Sequence, residues 1–198
     1  GRGHMRKLVV IEFLSLDGVM QAPGSPDEDT EGGFQHGGWQ TAYSDEELGA
    51  SAAKGMAGTG AYLFGRKTYE IMAAYWPTAP EDDPFAGHLN NTDKYVASRT
   101  LQETKWQYST LIEGEVAEEV ARLKEQPGGS IAVLGSGDLV QTLVENDLVD
   151  EYNLMVSPIV LGSGKRLFRD SAQPRRLALV DSQRTSAGTL MLRYQPER

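Results

Sequence analysis

The chain has 198 residues, a formal net charge of −9 and no cysteine, a length that suits one domain with a sizeable core. The missing thiols exclude disulfides, thiolate nucleophiles and thiolate metal sites, and fit a reducing cytoplasm. The acidic balance argues against nucleic acid as the main partner, and no apolar run approaches the roughly 18 residues of a membrane span. Gly1-Arg2-Gly3-His4 precede Met5 and read as a cloning scar, which leaves 5–198 as a single expected domain. No signal-peptide pattern opens the chain, so a cytoplasmic protein is expected.

"KLVVIEFLSLDG" (7–18) is apolar and β-rich and predicts a central first strand ending at Asp17-Gly18. The stretch 19–40 that follows holds Pro23, Pro26 and five glycines, too irregular for an ordinary connection, and predicts a functional loop. Because it leaves the carboxyl end of the first strand, it is expected to act as a mobile lid, with Phe34, His36 and Trp39 closing over an aromatic ligand. A helix over 44–57 is predicted from an N-cap at Ser44 and acids in the first turn. "AYLF" (61–64) is a strand and Thr68 to Tyr75 a helix stopped by Pro77; 78–92 is loop with one short helix near Phe85. "KYVAS" (94–98) and 106–112 are strands, 115–126 an amphipathic helix, 130–137 a strand entering a glycine turn and 138–147 a helix. A strand at 149–162 and an antiparallel hairpin over 175–196, turning at Ala187-Gly188, close the chain. This alternation predicts an α/β fold with a largely parallel sheet and an antiparallel edge.

Three strand ends carry anion-binding residue types. Gly65, Arg66, Lys67 and Thr68 stand where a strand meets a helix, whose first-turn N–H groups and dipole favour a phosphate. Gly135-Ser136-Gly137 repeats that arrangement, although Val140 occupies the position of the third glycine of a dinucleotide fingerprint. Ser98 and Arg99 offer a hydroxyl beside a guanidinium, a pair suited to the 2′-phosphate of NADP. Three such ends on one open sheet match what a dinucleotide needs across a carboxyl edge. Asp17 is the leading site carboxylate, with an Asp-Gly turn bonded to its own backbone as the alternative. Glu151 begins a strand and is expected to face the same cleft, while His36 and Trp39 either line the pocket or stand on a solvated loop.

The stretches "SLDGVMQAPG", "LFGRKTYE", "VASRTL", "VLGSGDLVQTLVENDLVDEYNL" and "SPIVLGSGKRLF" span nearly the whole chain. In that order they resemble the dihydrofolate-reductase-like superfamily, and more closely the branch related to the C-terminal reductase domain of bacterial riboflavin biosynthesis. The resemblance implies a three-layer α/β fold with a C-terminal antiparallel hairpin, and a homodimer. It also implies NADPH held by Gly65, Arg66, Lys67, Thr68, Ser98, Arg99, Gly135, Ser136 and Gly137. Two departures stand out: Ile11 replaces the lysine usual four residues before the serine of "SLDG", and no zinc deaminase signature is present. Both point away from ribosylaminopyrimidine as the substrate. Folate reductases carry a carboxylate on the helix before the "GRxT" turn; here Asp45, Glu46 and Glu47 open that helix, so Glu47 joins Asp17 and Glu151 as a candidate acid. The expectation is an NADPH-dependent reductase transferring hydride to a small heterocyclic or carbonyl substrate bound near Asp17, His36 and Trp39. A nucleotide-binding module without turnover and a flavodoxin-like FMN-binding domain are the alternatives.

Overall fold

The computed structural model describes residues 5–170 and 173–197; the four residues read as a cloning scar lie outside them. Among the described residues are eight strands: β1 (Leu8–Leu14), β2 (Thr59–Gly65), β3 (Asp93–Ala97), β4 (Ser109–Leu111), β5 (Ser130–Val133), β6 (Glu151–Val156), β7 (Leu177–Arg184) and β8 (Leu190–Pro196). Five α-helices connect them: α1 (Glu46–Ala57), α2 (Arg66–Tyr75), α3 (Pro84–Asn91), α4 (Val116–Glu125) and α5 (Gly137–Glu145). The strands form one sheet in the order β4-β3-β2-β5-β1-β6-β8-β7. Pairing is parallel among β4, β3, β2, β5 and β1, and antiparallel at β6–β8 and β8–β7. This is the expected α/β sheet with its antiparallel C-terminal edge.

The chain divides into two compact units. One holds the chain up to Val10 together with Ala52–Asp150; the other holds Ile11–Ser51 and the chain from Glu151 onward. In the first unit the interior is the apolar run of the parallel strands. Leu8, Val10, Leu63, Phe64, Val96, Ile131 and Val133 are fully buried, as expected of parallel strands covered on both faces. A charge also lies inside this unit. Lys94 is fully buried, donating to the Leu89 and Thr92 carbonyls at 2.6 and 2.7 Å and lying 4.4 Å over the Trp106 ring. It closes the carbonyl end of α3, and burial lowers its pKa to about 8.

Several predicted boundaries move, for local reasons. The first long helix starts at Glu46, because Asp45 and not Ser44 caps it: the Asp45 Oδ1 accepts from the Leu48 N–H at 2.9 Å. The short helix near Phe85 is a full α3, capped by Asp83 with Pro84 in its first turn. The strand expected over 106–112 shrinks to Ser109–Leu111, since the Trp106 N–H turns to the Tyr69 hydroxyl and Tyr108 takes φ +58°. The sixth strand stops at Val156, before Pro158, which has no N–H to continue a ladder.

The second unit corrects the picture of the 19–40 loop. Val19, Ala22, Phe34 and Trp39 are all buried in a shared cluster with Phe13, Ile159 and Leu161. The Trp39 indole donates to the Gln21 carbonyl at 2.8 Å. Met20 N–H bonds to the Lys165 carbonyl, the Gln21 amide donates to the Asp29 and Glu31 carbonyls, and its oxygen accepts from the Lys165 N–H. A loop with its aromatics inward and its backbone tied to a distant segment is scaffold rather than lid.

Candidate functional site

In the first unit, β5, β2 and β3 are parallel neighbours, in register at Leu63 with Val133 and at Gly65 with Ala97. With strands about 4.8 Å apart, their carboxyl ends fall within about 10 Å of one another. Gly65, Arg66, Lys67 and Thr68 therefore stand between Ser98 and Arg99 on one side and Gly135, Ser136 and Gly137 on the other. The structure brings all nine of the expected cofactor residues to one sheet edge.

Two of the three turns are locked together. The Gly65 N–H donates to the Gly135 carbonyl at 2.9 Å. A Cβ built on Gly65 would overlap the Ser136 hydroxyl and lie 3.0 Å from its backbone nitrogen. Only glycine fits there. Gly135 has φ +123°, a conformation that side chains rarely adopt, and its peptide bond to Ser136 is cis. Helices α2 and α5 then begin at Arg66 and Gly137, and neither N-cap residue, Gly65 or Ser136, supplies a side-chain bond to the first turn. Two paired helix starts without side-chain caps present backbone donors to an anion. Arg66 is exposed and pairs with Glu70 at 3.0 Å, a surface contact that a phosphate readily replaces. Lys67 and Thr68 are half-buried, and Arg99 is exposed. The Ser98 hydroxyl accepts from the Thr100 and Leu101 N–H groups at 3.2 and 3.0 Å, which sets the turn carrying Arg99. These residues fit the phosphates of a dinucleotide.

The second unit holds the expected acids, and each is already engaged. Asp17 accepts from the Ser15 hydroxyl at 2.6 Å and from the Leu161 and Gly162 N–H groups at 3.1 and 2.8 Å, with Arg166 at 3.5 Å. The Ser15 hydroxyl and those backbone donors lower its pKa from 3.8 to about 2. It is ionised at neutral pH, so it fastens the 157–166 segment and has no proton to donate. Glu47 accepts from the Ser186 N–H and hydroxyl at 3.0 and 2.6 Å, and Asp45 from the Ala187 N–H at 3.4 Å, so the start of α1 grips the β7–β8 turn. Glu151 is buried and meets Arg193 at 3.3 Å and Gln195 at 3.4 Å across the sheet. Of the expected substrate groups, Trp39 packs in the core, whereas His36 is exposed with its ring edge-on to Phe34. No group of three His, Asp or Glu able to hold a metal ion occurs among the described residues.

A model of the RibD C-terminal domain matches residues 6–191. The chain belongs to that family. Among curated relatives it is similar to the uncharacterized protein YyaP of Bacillus subtilis (strain 168), 35% identical over 135 residues, 67% of this chain and 71% of that one. It is also similar to the uncharacterized protein YwjB of the same organism, 29% identical over 88% of this chain and 89% of that one. Among solved structures, a candidate riboflavin biosynthesis protein from Shewanella sp. PV-4 superposes with a TM-score of 0.73 at 21% identity, covering 97% of this chain and 99% of that one. The deaminase/reductase of Thermotoga maritima gives a TM-score of 0.66 at 13% identity, with 98% of this chain matching 57% of the larger protein. These likenesses establish the fold of the RibD reductase domain, and no helix among the described residues is long and apolar enough to cross a membrane.

One acid in this RibD-like chain escaped the sequence reading. Glu12 sits in β1 within "LVVIEFL" and is only 7% exposed. Its carboxyl is pushed well above the ordinary range by burial, with the Glu28 charge adding to the effect. The available signal was a lone carboxylate in a run of β-branched and apolar residues, where an apolar side chain is the rule.

Proposed function

We propose that the protein is an NADPH-dependent reductase that transfers hydride to a small heterocyclic substrate of pterin or pyrimidine type, or to a carbonyl compound. The observation that carries this reading is the clamped pair of turns at Gly65 and Gly135–Gly137, flanked by Ser98 and Arg99. In it the two uncapped helix starts hold the pyrophosphate and Arg99 holds the 2′-phosphate. Bound there, NADPH supplies the hydride. The chain supplies phosphate binding through Arg66, Lys67, Thr68 and Ser98, and it positions the cofactor through the close approach of Gly65 to Ser136. Ile11, in place of the family's usual lysine, supports a substrate other than the ribosylaminopyrimidine named for the Thermotoga protein. Screening NADPH oxidation against a pterin and pyrimidine panel tests the reading. Turnover with one class is expected, and binding of NADPH without turnover of any compound would make the protein a nucleotide-binding module instead.

A homodimer belongs to the same proposal. β7 is the outer strand of the sheet, yet it leaves Leu179 and Val180 exposed, and Leu190 of β8, Val160 and Phe168 are exposed as well. Apolar side chains along an unpaired edge suit pairing with a second copy. Light scattering is expected to give twice the 21.6 kDa chain mass, and a Leu179→Asp, Val180→Asp double variant to return the monomer; a wild-type monomer would end this part of the reading.

A further inference from the structure

Away from the glycine turns, the first unit holds a cleft of about 730 Å³ along the outer side of α2. One wall is Tyr69, Ala73 and Ala74 of α2 with Pro77 just beyond it; the other is Leu101 and Trp106, from the segment between β3 and β4. Steps of three and four residues place the first wall on one helix face, and its two alanines leave room that longer side chains would close. Hydrogen bonds fix the floor. The Trp106 indole donates to the Asn90 Oδ1 at 2.7 Å, and the Gln107 amide donates to the Asn90 carbonyl at 2.7 Å. Asn90 shortly precedes β3 and Gln107 shortly precedes β4, so this floor lies toward the amino ends of the strands. The glycine turns lie at the carboxyl ends. The cleft is therefore separate from them.

An apolar cleft of this size with a few polar groups at its rim has the character of a small-molecule site. Its charged side chains are Glu70, Glu103 and Lys105. Glu103 and Lys105 lie 3.6 Å apart and balance each other. Glu70 accepts from Arg66 at its Oε2, at 3.0 Å, with both side chains about half exposed, a pairing of little strength in water. A carboxylate accepts more than one donor, so Glu70 has capacity for a second cation. Trp106 does not offer that place, because Lys94 already lies 4.4 Å over its ring. We propose that the cleft is a second ligand site, taking a small organic amine whose apolar body lies between the two walls and whose ammonium group meets Glu70. The net charge of −9 favours the approach of a cation. None of the lining residues is among the nine expected to hold NADPH, so the site does not rest on the reductase reading.

The test titrates the full chain, without nucleotide, with three indole compounds that differ in charge: tryptamine, indole-3-acetamide and indole-3-acetate. Nitrogen-15 spectra of the tryptophan side chains, assigned through Trp39→Phe and Trp76→Phe, follow the binding. Tryptamine is expected to move the Trp106 signal and to leave that of Trp39, in the other unit, in place. It should bind about two- to fivefold tighter than the neutral amide, the worth of an exposed ion pair, with the acid weakest. Glu70→Gln removes that order. Ala74→Phe, on an exposed part of the wall, weakens all three by at least roughly tenfold while circular dichroism stays native. Equal affinities in the wild type, binding of none, an unmoved Trp106 signal, or a charge order kept in Glu70→Gln would overturn the proposal. So would an Ala74→Phe chain that binds as wild type does. A Trp106 signal that moves with protein concentration alone would give the cleft to a second copy of the chain, and equally overturn it. If Ala74→Phe fails to fold, Ala74→Leu and Glu70→Gln decide.

Discussion

The two units treat the residues that the sequence singles out for a site in opposite ways. In the first, the glycine turns after β2 and β5 are bonded to each other, and the helix starts behind them have no side-chain caps. In the second, the acids that a sequence reader would select are consumed: Asp17 by the 161–162 backbone, Glu47 by the β7–β8 turn, Glu151 by Arg193. A polar residue near a strand end thus carries little functional information until its partners are counted. Unsatisfied groups mark a site better than residue type does.

Emptying the buried cluster of the second unit should have the largest effect. Trp39→Ala empties a buried cluster and loses the indole bond to Gln21, so a loss of about 3–5 kcal/mol is expected. Chemical denaturation measures it, and a change below about 1 kcal/mol would restore the picture of a solvated loop. Next comes the open side. Gly65→Ala forces the Ser136 turn to move and should weaken NADPH binding about a hundredfold, the worth of roughly two charge-assisted hydrogen bonds, while circular dichroism stays native. Unchanged affinity would mean that the clamp does not hold the cofactor.

The smallest effect concerns Asp17. Its pKa is lowered in the folded protein, so its contribution is fully present above the unfolded value near 3.8 and is lost as pH falls through about 2. Asp17→Asn should cost on the order of 1 kcal/mol at pH 7, after allowance for solvent screening, and the difference from wild type should shrink as pH falls from about 4 towards 2. A gap that stays constant across that range would exclude a charge-based fastening.

Much of the fold could be read from the chain because its signals are local. Strand-to-helix seams at Gly65 and Gly135, the Pro84 helix start and the Ala187-Gly188 turn depend on residues within one or two turns of each other. The parallel sheet then follows from alternation, and the cofactor residues come together because strand ends in a parallel sheet share an edge. What stayed hidden depends on distant partners. The 19–40 loop looks mobile from its glycines and prolines, yet its anchors, such as Gln21 with Lys165, are 144 residues apart. Glu12 was hidden differently: in an apolar strand, sequence alone cannot reveal whether a lone acid points to solvent or to the core.

Fluorescence titration of NADPH and NADH tests most directly the proposal that the first unit binds the phosphates of NADPH. Arg99 beside Ser98 predicts that NADPH binds at least roughly tenfold tighter than NADH, and that Arg99→Ala removes that preference while leaving NADH affinity unchanged. Equal dissociation constants for the two nucleotides in the wild type, or no binding of either, would contradict it.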